Sequence, residues 1–244
     1  MEEMELKTSL KQRILIGAIA VIMVGSMIAS YAAIVINGNK SSADSSAPQS
    51  TISDEKKAQY EKEYEEAMKE FKKVSADDYA KFIAYKDNIK SYNEAAANSG
   101  GVSTKDLLKG DGHKLEATDK DYLAYYVGWC ADETIFDSSF DDSKNPTSFA
   151  KALDASVGMI EGWNQGVAGM RLGGVREVTI SSELAYGDTM EICGGKNKPL
   201  KFIILPVENK DPLKSAAAAV DEAFMKLQYA NYGIDYEQVK ANSE

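Results

Sequence analysis

Histidine and cysteine are scarce in this sequence, which holds one histidine and two cysteines among 244 residues. The histidine, His113, lies in the polar, turn-like stretch KGDGHKL with no second ligand nearby, and we interpret it as a solvated surface residue. Clusters of basic residues are also missing beyond the first few positions, and the net charge at pH 7 is -10. Binding to nucleic-acid phosphates needs clustered lysine and arginine. The sequence therefore predicts neither a metal site nor a nucleic-acid partner.

One long apolar run lies near the N-terminus. Residues 14–36 read ILIGAIAVIMVGSMIASYAAIVI and contain no charged side chain. About 20 apolar residues suffice to cross the hydrocarbon core of a bilayer, whereas the apolar region of a cleaved signal is usually about 7–15 residues long. We therefore predict a transmembrane helix over residues 14–36. The alternative is cleavage after Ala32, where the sequence SYA is an acceptable site.

The charges around this run predict its orientation. Three basic residues precede it within residues 1–13, and only Lys40 follows it closely. Because the basic flank of a membrane helix stays in the cytoplasm, we expect residues 1–13 to be cytoplasmic. The protein is then a single-pass protein of the cell membrane whose large C-terminal domain is extracytoplasmic. Residues 37–52 are rich in serine and alanine, which is typical of a flexible linker.

Residues 53–98 show the periodicity of amphipathic helices. Large apolar side chains recur at spacings of three and four from Tyr60 to Val74, with glutamate and lysine between them. Ser75 and Asp78 resemble a capping box, which predicts the start of a second helix that ends near the sequence NSGG. We therefore predict a helical hairpin. It is either a stalk or docked support, or a dimerisation arm or cradle for client chains, and the sequence leaves these alternatives open.

Short strand-like segments replace the helical pattern over residues 105–209. The stretch YLAYYVGWC, residues 122–130, alternates and is rich in residues that favour strands, and VREVTIS and LKFIILPVE are further candidates. After them, Asp211 and Pro212 are a typical pair for the cap and first turn of a helix. They predict a C-terminal helix and tail over residues 210–244.

Three segments of the middle region carry specific motifs in a fixed order. They are YYVGWCADETIFDSS, MIEGWNQGVAGMRLGGVREVTISSELAYG and PLKFIILPVE. Together, their Phe-Asp-Ser-Ser, Gly-Trp, Gly-Gly-x-Arg and Ala-Tyr-Gly motifs resemble the FKBP-type peptidyl-prolyl cis-trans isomerases over residues 105–209. The resemblance implies an α+β fold, in which an antiparallel sheet wraps around one short helix and an apolar pocket lies between them.

The resemblance also implies which residues form the site. Trp163 is expected to form the pocket floor, and the backbone N–H of Ile160 to hold a substrate carbonyl. The Asp137 carboxylate and the Tyr186 hydroxyl are expected to orient the peptide. Without the family, Phe136 would be interpreted as core and Asp137 as the cap of a turn. The implied catalytic residues are Tyr126, Phe136, Asp137, Trp163, Tyr186 and Phe202, and the implied substrate-binding residues are Phe149, Met159 and Ile160.

These residue types suit rotation about a prolyl amide bond. The rotation has a barrier of about 18–20 kcal/mol because it breaks resonance, and it needs no covalent nucleophile. A twisted amide has lost charge separation, so a desolvating aromatic pocket favours it over the planar ground state. We therefore predict no cofactor and no metal.

Departures from the family pattern concern two turns. Glu133 stands where the family usually has glycine, so we expect a different turn in that hairpin. The loop over residues 188–199, DTMEICGGKNKP, is shorter than usual and has two glycines in place of prolines. This leaves the affinity for macrolide drugs open. Cys130 and Cys193 lie in the same domain, and the sequence also leaves open whether they form a disulfide.

The sequence therefore predicts a membrane-anchored peptidyl-prolyl isomerase that assists the folding of exported or membrane proteins outside the cytoplasmic membrane. Its expected partners are proline-containing polypeptides and the membrane, with a candidate homodimer through residues 53–98. The alternative is a chaperone or docking module that binds proline peptides with little turnover. An isomerisation assay on proline peptides distinguishes the two.

Overall fold

The computed structural model describes residues 52–241 of the chain. The predicted membrane span over residues 14–36 lies outside the described residues, as does nearly all of the predicted linker over residues 37–52. None of the helices between residues 52 and 241 is long and apolar enough to cross a bilayer.

The chain folds as two compact units. The larger unit consists of residues 71–217, and the smaller combines residues 52–70 with residues 218–241 among those described. The isomerase domain predicted over residues 105–209 lies within the larger unit, which also takes in residues 71–104.

Two helices begin the described chain, α1 (Asp54–Val74) and α2 (Ala76–Ile83). The N–H of Ser75 donates to the carbonyl of Phe71 at 3.0 Å, and the Ser75 carbonyl accepts from the N–H of Tyr79 at 2.9 Å. Both bonds have helical spacing, so no loop separates the two helices at Ser75. The Ser75 side chain makes no capping hydrogen bond, and the predicted capping box is therefore not formed.

The second helix also ends earlier than the sequence predicted. Helix α2 stops at Ile83, a single 3-10 turn covers Lys86–Asn88, and a separate helix, α3, covers Glu94–Ser99. In the extended stretch before α3, the N–H of Tyr92 donates to the carbonyl of Ala131 at 3.1 Å. This tertiary contact uses a donor that a continuous helix would bond internally. Periodicity alone therefore overestimated the helix.

An antiparallel sheet forms the centre of the larger unit, and its strands lie in the order β1-β5-β6-β2-β3 with β4 paired to β2. In the register of the sheet, Gly128 has Asp137 beside it on one strand and Phe202 on the other. The register thus brings two predicted site residues to the same point. The strands are β1 (Val102–Leu108), β2 (Tyr122–Trp129), β3 (Ile135–Ser138), β4 (Leu153–Asp154), β5 (Val175–Ile180) and β6 (Leu200–Glu208).

Strand β2 is buried along its whole length. Tyr125 is 0% exposed and Tyr126 is 6% exposed. Because neighbouring side chains of a strand point to opposite faces, the two tyrosines lie on different sides of the sheet. Both side chains are covered in the structure.

The predicted short helix is α4 (Glu161–Val167), which packs against β5. A Cβ at Gly162 would lie 2.1 Å from Ile180 Cγ2, and one at Gly166 would lie 2.5 Å from Val178 Cγ1. Only glycine allows the helix to approach the sheet this closely at those two positions. These glycines flank the buried Trp163 and explain why a large ring stands among small residues.

Residues 71–104 belong to the larger unit because their aromatic side chains are part of its core. Phe71 is 0% and Phe82 is 1% exposed. The ring centroids of Phe71 and Tyr125 lie 6.3 Å apart, and those of Phe82 and Phe140 lie 5.7 Å apart. The core of the isomerase unit therefore extends beyond the predicted domain boundary.

Two helices follow the sheet, α5 (Leu213–Asn231) and α6 (Tyr236–Ala241). The first is the predicted C-terminal helix, which begins directly after Pro212, and the second was not predicted.

The smaller unit joins the first part of α1 to the C-terminal residues. The ammonium of Lys226 lies 3.1 Å from the carboxylate of Glu63. The Tyr60 hydroxyl donates to Asp235 at 2.6 Å, and Tyr60 is only 1% exposed. The Tyr60 side of α1 is thus engaged within the chain, while the homodimer through residues 53–98 stays a prediction.

Candidate active site

Four aromatic rings meet on one face of β2. The ring centroids of Tyr126 and Trp163 lie 5.6 Å apart, and those of Trp163 and Phe202 lie 5.5 Å apart. Phe136 adds a contact to Phe202, also at 5.5 Å. All three pairs are close to perpendicular, which is a favourable arrangement for aromatic rings. The group forms a rigid apolar surface.

Trp163 is held by a hydrogen bond as well as by packing. Its indole Nε1 donates to the hydroxyl of Tyr122 at 3.0 Å, and both side chains are almost completely buried. A buried N–H without a partner would be costly. The bond to Tyr122 satisfies this donor and fixes the orientation of the indole at the base of the aromatic group.

Gly128 is a functional position that the sequence analysis missed. A Cβ at Gly128 would lie 2.5 Å from Phe136 Cζ and 2.8 Å from Phe202 Cε1. Any side chain there would displace the two rings. The signal was present in the sequence, because Gly128 interrupts an otherwise bulky strand.

Asp137 provides the charged group of this site. One of its oxygens accepts a short hydrogen bond from the Tyr126 hydroxyl. The other accepts from the Lys151 ammonium at 2.6 Å and from the Ser138 N–H at 2.8 Å. Lys151 also lies 5.7 Å from the centroid of the Tyr126 ring. Asp137 was predicted from the motif, whereas Lys151 was not.

The two tyrosines beside this carboxylate stay protonated well above neutral pH. Burial raises the pKa of Tyr126 far above its ordinary value, and the charge of Asp137 and the hydrogen bond to it raise that pKa further. Burial also raises the pKa of Tyr186, again with a contribution from Asp137. Both hydroxyls therefore keep their protons throughout the physiological range, and that of Tyr126 is engaged with Asp137.

Ile160 stands at the entrance of α4 and offers a backbone donor. Its carbonyl accepts from the Trp163 N–H at 3.0 Å, and its side chain is 5% exposed. Within residues 52–241, its own N–H has no hydrogen-bond acceptor. The neighbouring Met159 is half-buried, and its carbonyl accepts from the Asn164 amide at 3.5 Å. The arrangement leaves the Ile160 N–H free to bind a carbonyl oxygen.

Comparison with known proteins decides the family. A sequence model of the FKBP-type peptidyl-prolyl cis-trans isomerases matches residues 114–205. The FK506-binding protein of Neisseria meningitidis serogroup B is 37% identical over 109 residues, which cover 45% of this chain and 94% of that protein. This chain belongs to the FKBP-type peptidyl-prolyl cis-trans isomerases.

A further relative comes from a plant, and one solved structure is also similar in sequence. The chloroplastic peptidyl-prolyl cis-trans isomerase FKBP13 of Arabidopsis thaliana is 33% identical over 139 residues, which are 52% of this chain and 65% of that protein. The chain in the crystal structure of AtFKBP13 is 30% identical to this one, with a TM-score of 0.32. The alignment covers 44% of this chain and 92% of the AtFKBP13 chain.

The arrangement suits the reaction of the family. The rings around Trp163 can enclose a proline and exclude water, which favours the twisted amide. The free N–H of Ile160 can hold a substrate carbonyl, and the Asp137 carboxylate, which interacts electrostatically with the Tyr186 hydroxyl, is a polar group beside the rings. Rotation about the amide requires only such binding, since no bond to carbon is made or broken.

Phe149 does not belong to this arrangement, and its assignment as a substrate-binding residue is corrected by the structure. It is 0% exposed and stacks on Tyr125 with centroids 3.9 Å apart. Tyr125 faces away from Tyr126 on β2, so Phe149 lies in the closed core on the opposite side of the sheet. Its ring contacts are all with that core and none is with Tyr126, Trp163 or Phe202.

The hairpin at Glu133 keeps a backbone conformation suited to glycine. Glu133 has a φ of 71°, in the left-handed region that glycine adopts most easily. Its carboxylate accepts a hydrogen bond from the N–H of Ser91 at 2.9 Å. The expected change of turn is therefore not seen.

A disulfide ties the loop over residues 188–199 to the end of β2. Cys130 and Cys193 are bonded, with Cα atoms 5.4 Å apart. The same loop is held by Tyr92, whose hydroxyl donates to the carbonyl of Pro199 at 2.9 Å. The sequence left the disulfide open, and the structure decides it.

Proposed function

We propose that this isomerase is anchored in the cell membrane by residues 14–36 and acts outside the cytoplasm. There it would assist the folding of exported or membrane proteins by isomerising their prolyl bonds. The isomerase activity follows from membership of the family. The proposal concerns where the protein acts and which proteins are its substrates.

The disulfide between Cys130 and Cys193 carries this proposal. Disulfides persist in oxidising compartments and are rare in the cytoplasm, where thiols are kept reduced. A bridge that spans a sequence separation of 63 residues stabilises a domain by about 4 kcal/mol in the chain-entropy account. A protein that relies on it gains that stability only where the bridge forms.

The N-terminal sequence supports the same location. The uncharged run over residues 14–36 is long enough for a membrane span, and the basic residues before it favour a cytoplasmic N-terminus. The isomerase unit would then follow on the oxidising side. Proline-containing segments of proteins that fold after export are the expected substrates.

Thiol labelling in cells tests the location directly, because the chain holds only two cysteines. Because Cys130 is buried in the folded domain, the cells are denatured in the presence of a membrane-permeant maleimide. In the full chain, we expect it to label neither cysteine until a reductant is added. The matched control lacks residues 1–36 and stays in the cytoplasm, where we expect both thiols to be labelled without reductant.

A protease added to intact spheroplasts provides a second readout. We expect it to digest the chain beyond Lys40 and to leave residues 1–13 intact. Complete labelling of the full chain without reductant, or protection of its large domain from the protease, would contradict the proposed location.

A further inference from the structure

Lys151 is the cationic partner of the acid in the pocket. Its ammonium lies 2.6 Å from Asp137 Oδ1, while the hydroxyl of Tyr126 bonds the other oxygen of the same carboxylate. The Lys151 and Asp137 side chains are 36% and 41% exposed. An ion pair this open contributes little to stability, yet its ammonium lies 5.7 Å from the centroid of the Tyr126 ring.

The fold specifies where Lys151 lies. It ends a loop in which the Asp141 carboxylate accepts from the N–H groups of Thr147 and Ser148 at 2.9 and 3.1 Å. These bonds outweigh the effect of burial and hold the pKa of Asp141 well below its usual range. Phe149, locked in the core, follows the loop two residues before Lys151. The hydrogen bonds to Asp141 and the burial of Phe149 thus position the backbone of Lys151 so that its side chain reaches Asp137.

We propose that Lys151 is a positioning residue of this isomerase, which holds the Asp137 carboxylate in the orientation that faces Tyr126 and the pocket. Without the ammonium, a carboxylate with this much exposed surface gains water contacts when it turns outward. The Tyr126 hydroxyl then loses its acceptor, and the polar rim of the pocket loses its fixed geometry. The inference rests on the isomerase activity and is independent of the proposed cellular location.

Substitutions at Lys151 test the proposal in the full chain with a short proline peptide as substrate. We expect Lys151→Met to lower kcat/KM by about five- to tenfold, the scale of one charge-assisted hydrogen bond at a partly exposed site. Lys151→Arg keeps the cation and should stay within about twofold of the wild type. Lys144→Met removes an exposed lysine of the same loop and should leave kcat/KM unchanged.

A double-mutant cycle with Asp137→Asn separates positioning from a general effect on the fold. If Lys151 acts through Asp137, adding Lys151→Met to Asp137→Asn should lower kcat/KM by less than twofold, because the interaction is already lost. Independent, multiplicative losses in the two variants would overturn the proposal. Wild-type activity in Lys151→Met would overturn it as well.

The salt dependence of kcat/KM tests the same proposal without a Lys151 variant, and it applies if Lys151→Met does not fold. Salt screens partly exposed charges, so raising the salt concentration to about 1 M should lower kcat/KM of the wild type and leave that of Asp137→Asn unaffected. Equal salt dependence in the two proteins would exclude the positioning role.

Discussion

The two faces of strand β2 are both lined by aromatic rings, but only one of them has the features of a site. On one face, Tyr125 stacks on Phe149 in a cluster that has no exposed ring surface at its centre. On the other, Tyr126 and its neighbours stand beside a charged carboxylate and a free backbone donor. Aromatic side chains alone therefore do not identify a pocket. Polar groups that are left available at the edge of the rings distinguish the site from the core.

Removing a ring from the pocket face should have the largest effect. Phe202→Ala deletes a 4% exposed ring that contacts both Trp163 and Phe136. We expect it to lower the free energy of unfolding by about 3–5 kcal/mol. We also expect kcat/KM on a short proline peptide to fall by about a hundredfold, equivalent to about 2.7 kcal/mol of transition-state stabilisation.

Urea denaturation and the peptide assay measure the two effects on the same preparation. The activity must be taken under conditions where circular dichroism shows the variant to be folded. A folded Phe202→Ala protein with full activity would show that the pocket has been assigned to the wrong face.

Removing a ring from the core face should cost stability without changing the chemistry. Phe82 is 1% exposed, and its centroid lies 5.6 Å from that of Phe149. Phe82→Ala should lower the free energy of unfolding by about 3–5 kcal/mol. The kcat/KM of the folded fraction should stay within about threefold of the wild type, because this ring contacts neither the carboxylate nor the pocket rings.

Phe82 lies before the predicted start of the isomerase domain, so this variant also tests the boundary. If Phe82→Ala had no effect on stability, α2 would not be part of the hydrophobic core of the larger unit.

The smallest of these effects is the pH dependence of stability. It arises because tyrosines on both faces of β2 have pKa values raised by burial. Burial raises the pKa of Tyr122 to about 12, and it also raises the pKa values of Tyr125, Tyr126 and Tyr186. A raised pKa in the folded state means stability that is present below the ordinary tyrosine pKa of about 10 and lost above it.

We therefore expect the free energy of unfolding to decline as the pH rises from about 10 to about 12. The tyrosine ionisations should leave kcat/KM unchanged between about pH 6 and 9, since the hydroxyls stay protonated there. Thermal melts and peptide assays across this range check both statements. A tyrosine-dependent loss of activity below pH 9, absent in Tyr186→Phe, would contradict the burial argument for the pocket face.

The residues that meet on the Tyr126 face of β2 lie in motifs with fixed spacing, so the sequence could predict that they come together. Sheet register places Asp137 and Phe202 on either side of Gly128, and α4 brings Trp163 beneath them. The family resemblance implied these positions, and the measured contacts join most of them.

The core face was predicted less well, because its contacts depend on segments without motifs. Phe149 lies in DDSKNPTSF, a stretch whose shape is determined by the side chain of Asp141 and cannot be inferred from spacing. Lys151 reaches Asp137 only because that loop folds back. The helices before β1 were assigned to a separate hairpin because periodicity reveals an apolar side of a helix but not what covers it.

Chemical-shift changes in the isotope-labelled protein, measured on binding of a short proline peptide, test whether the substrate binds on the Tyr126 face of β2. We expect the largest changes at the backbone N–H of Ile160 and the indole N–H of Trp163. Phe82 and Phe149, on the opposite face of β2, should change little. Large changes at Phe82 and Phe149 with none at Ile160 would show that the substrate does not bind on the Tyr126 face.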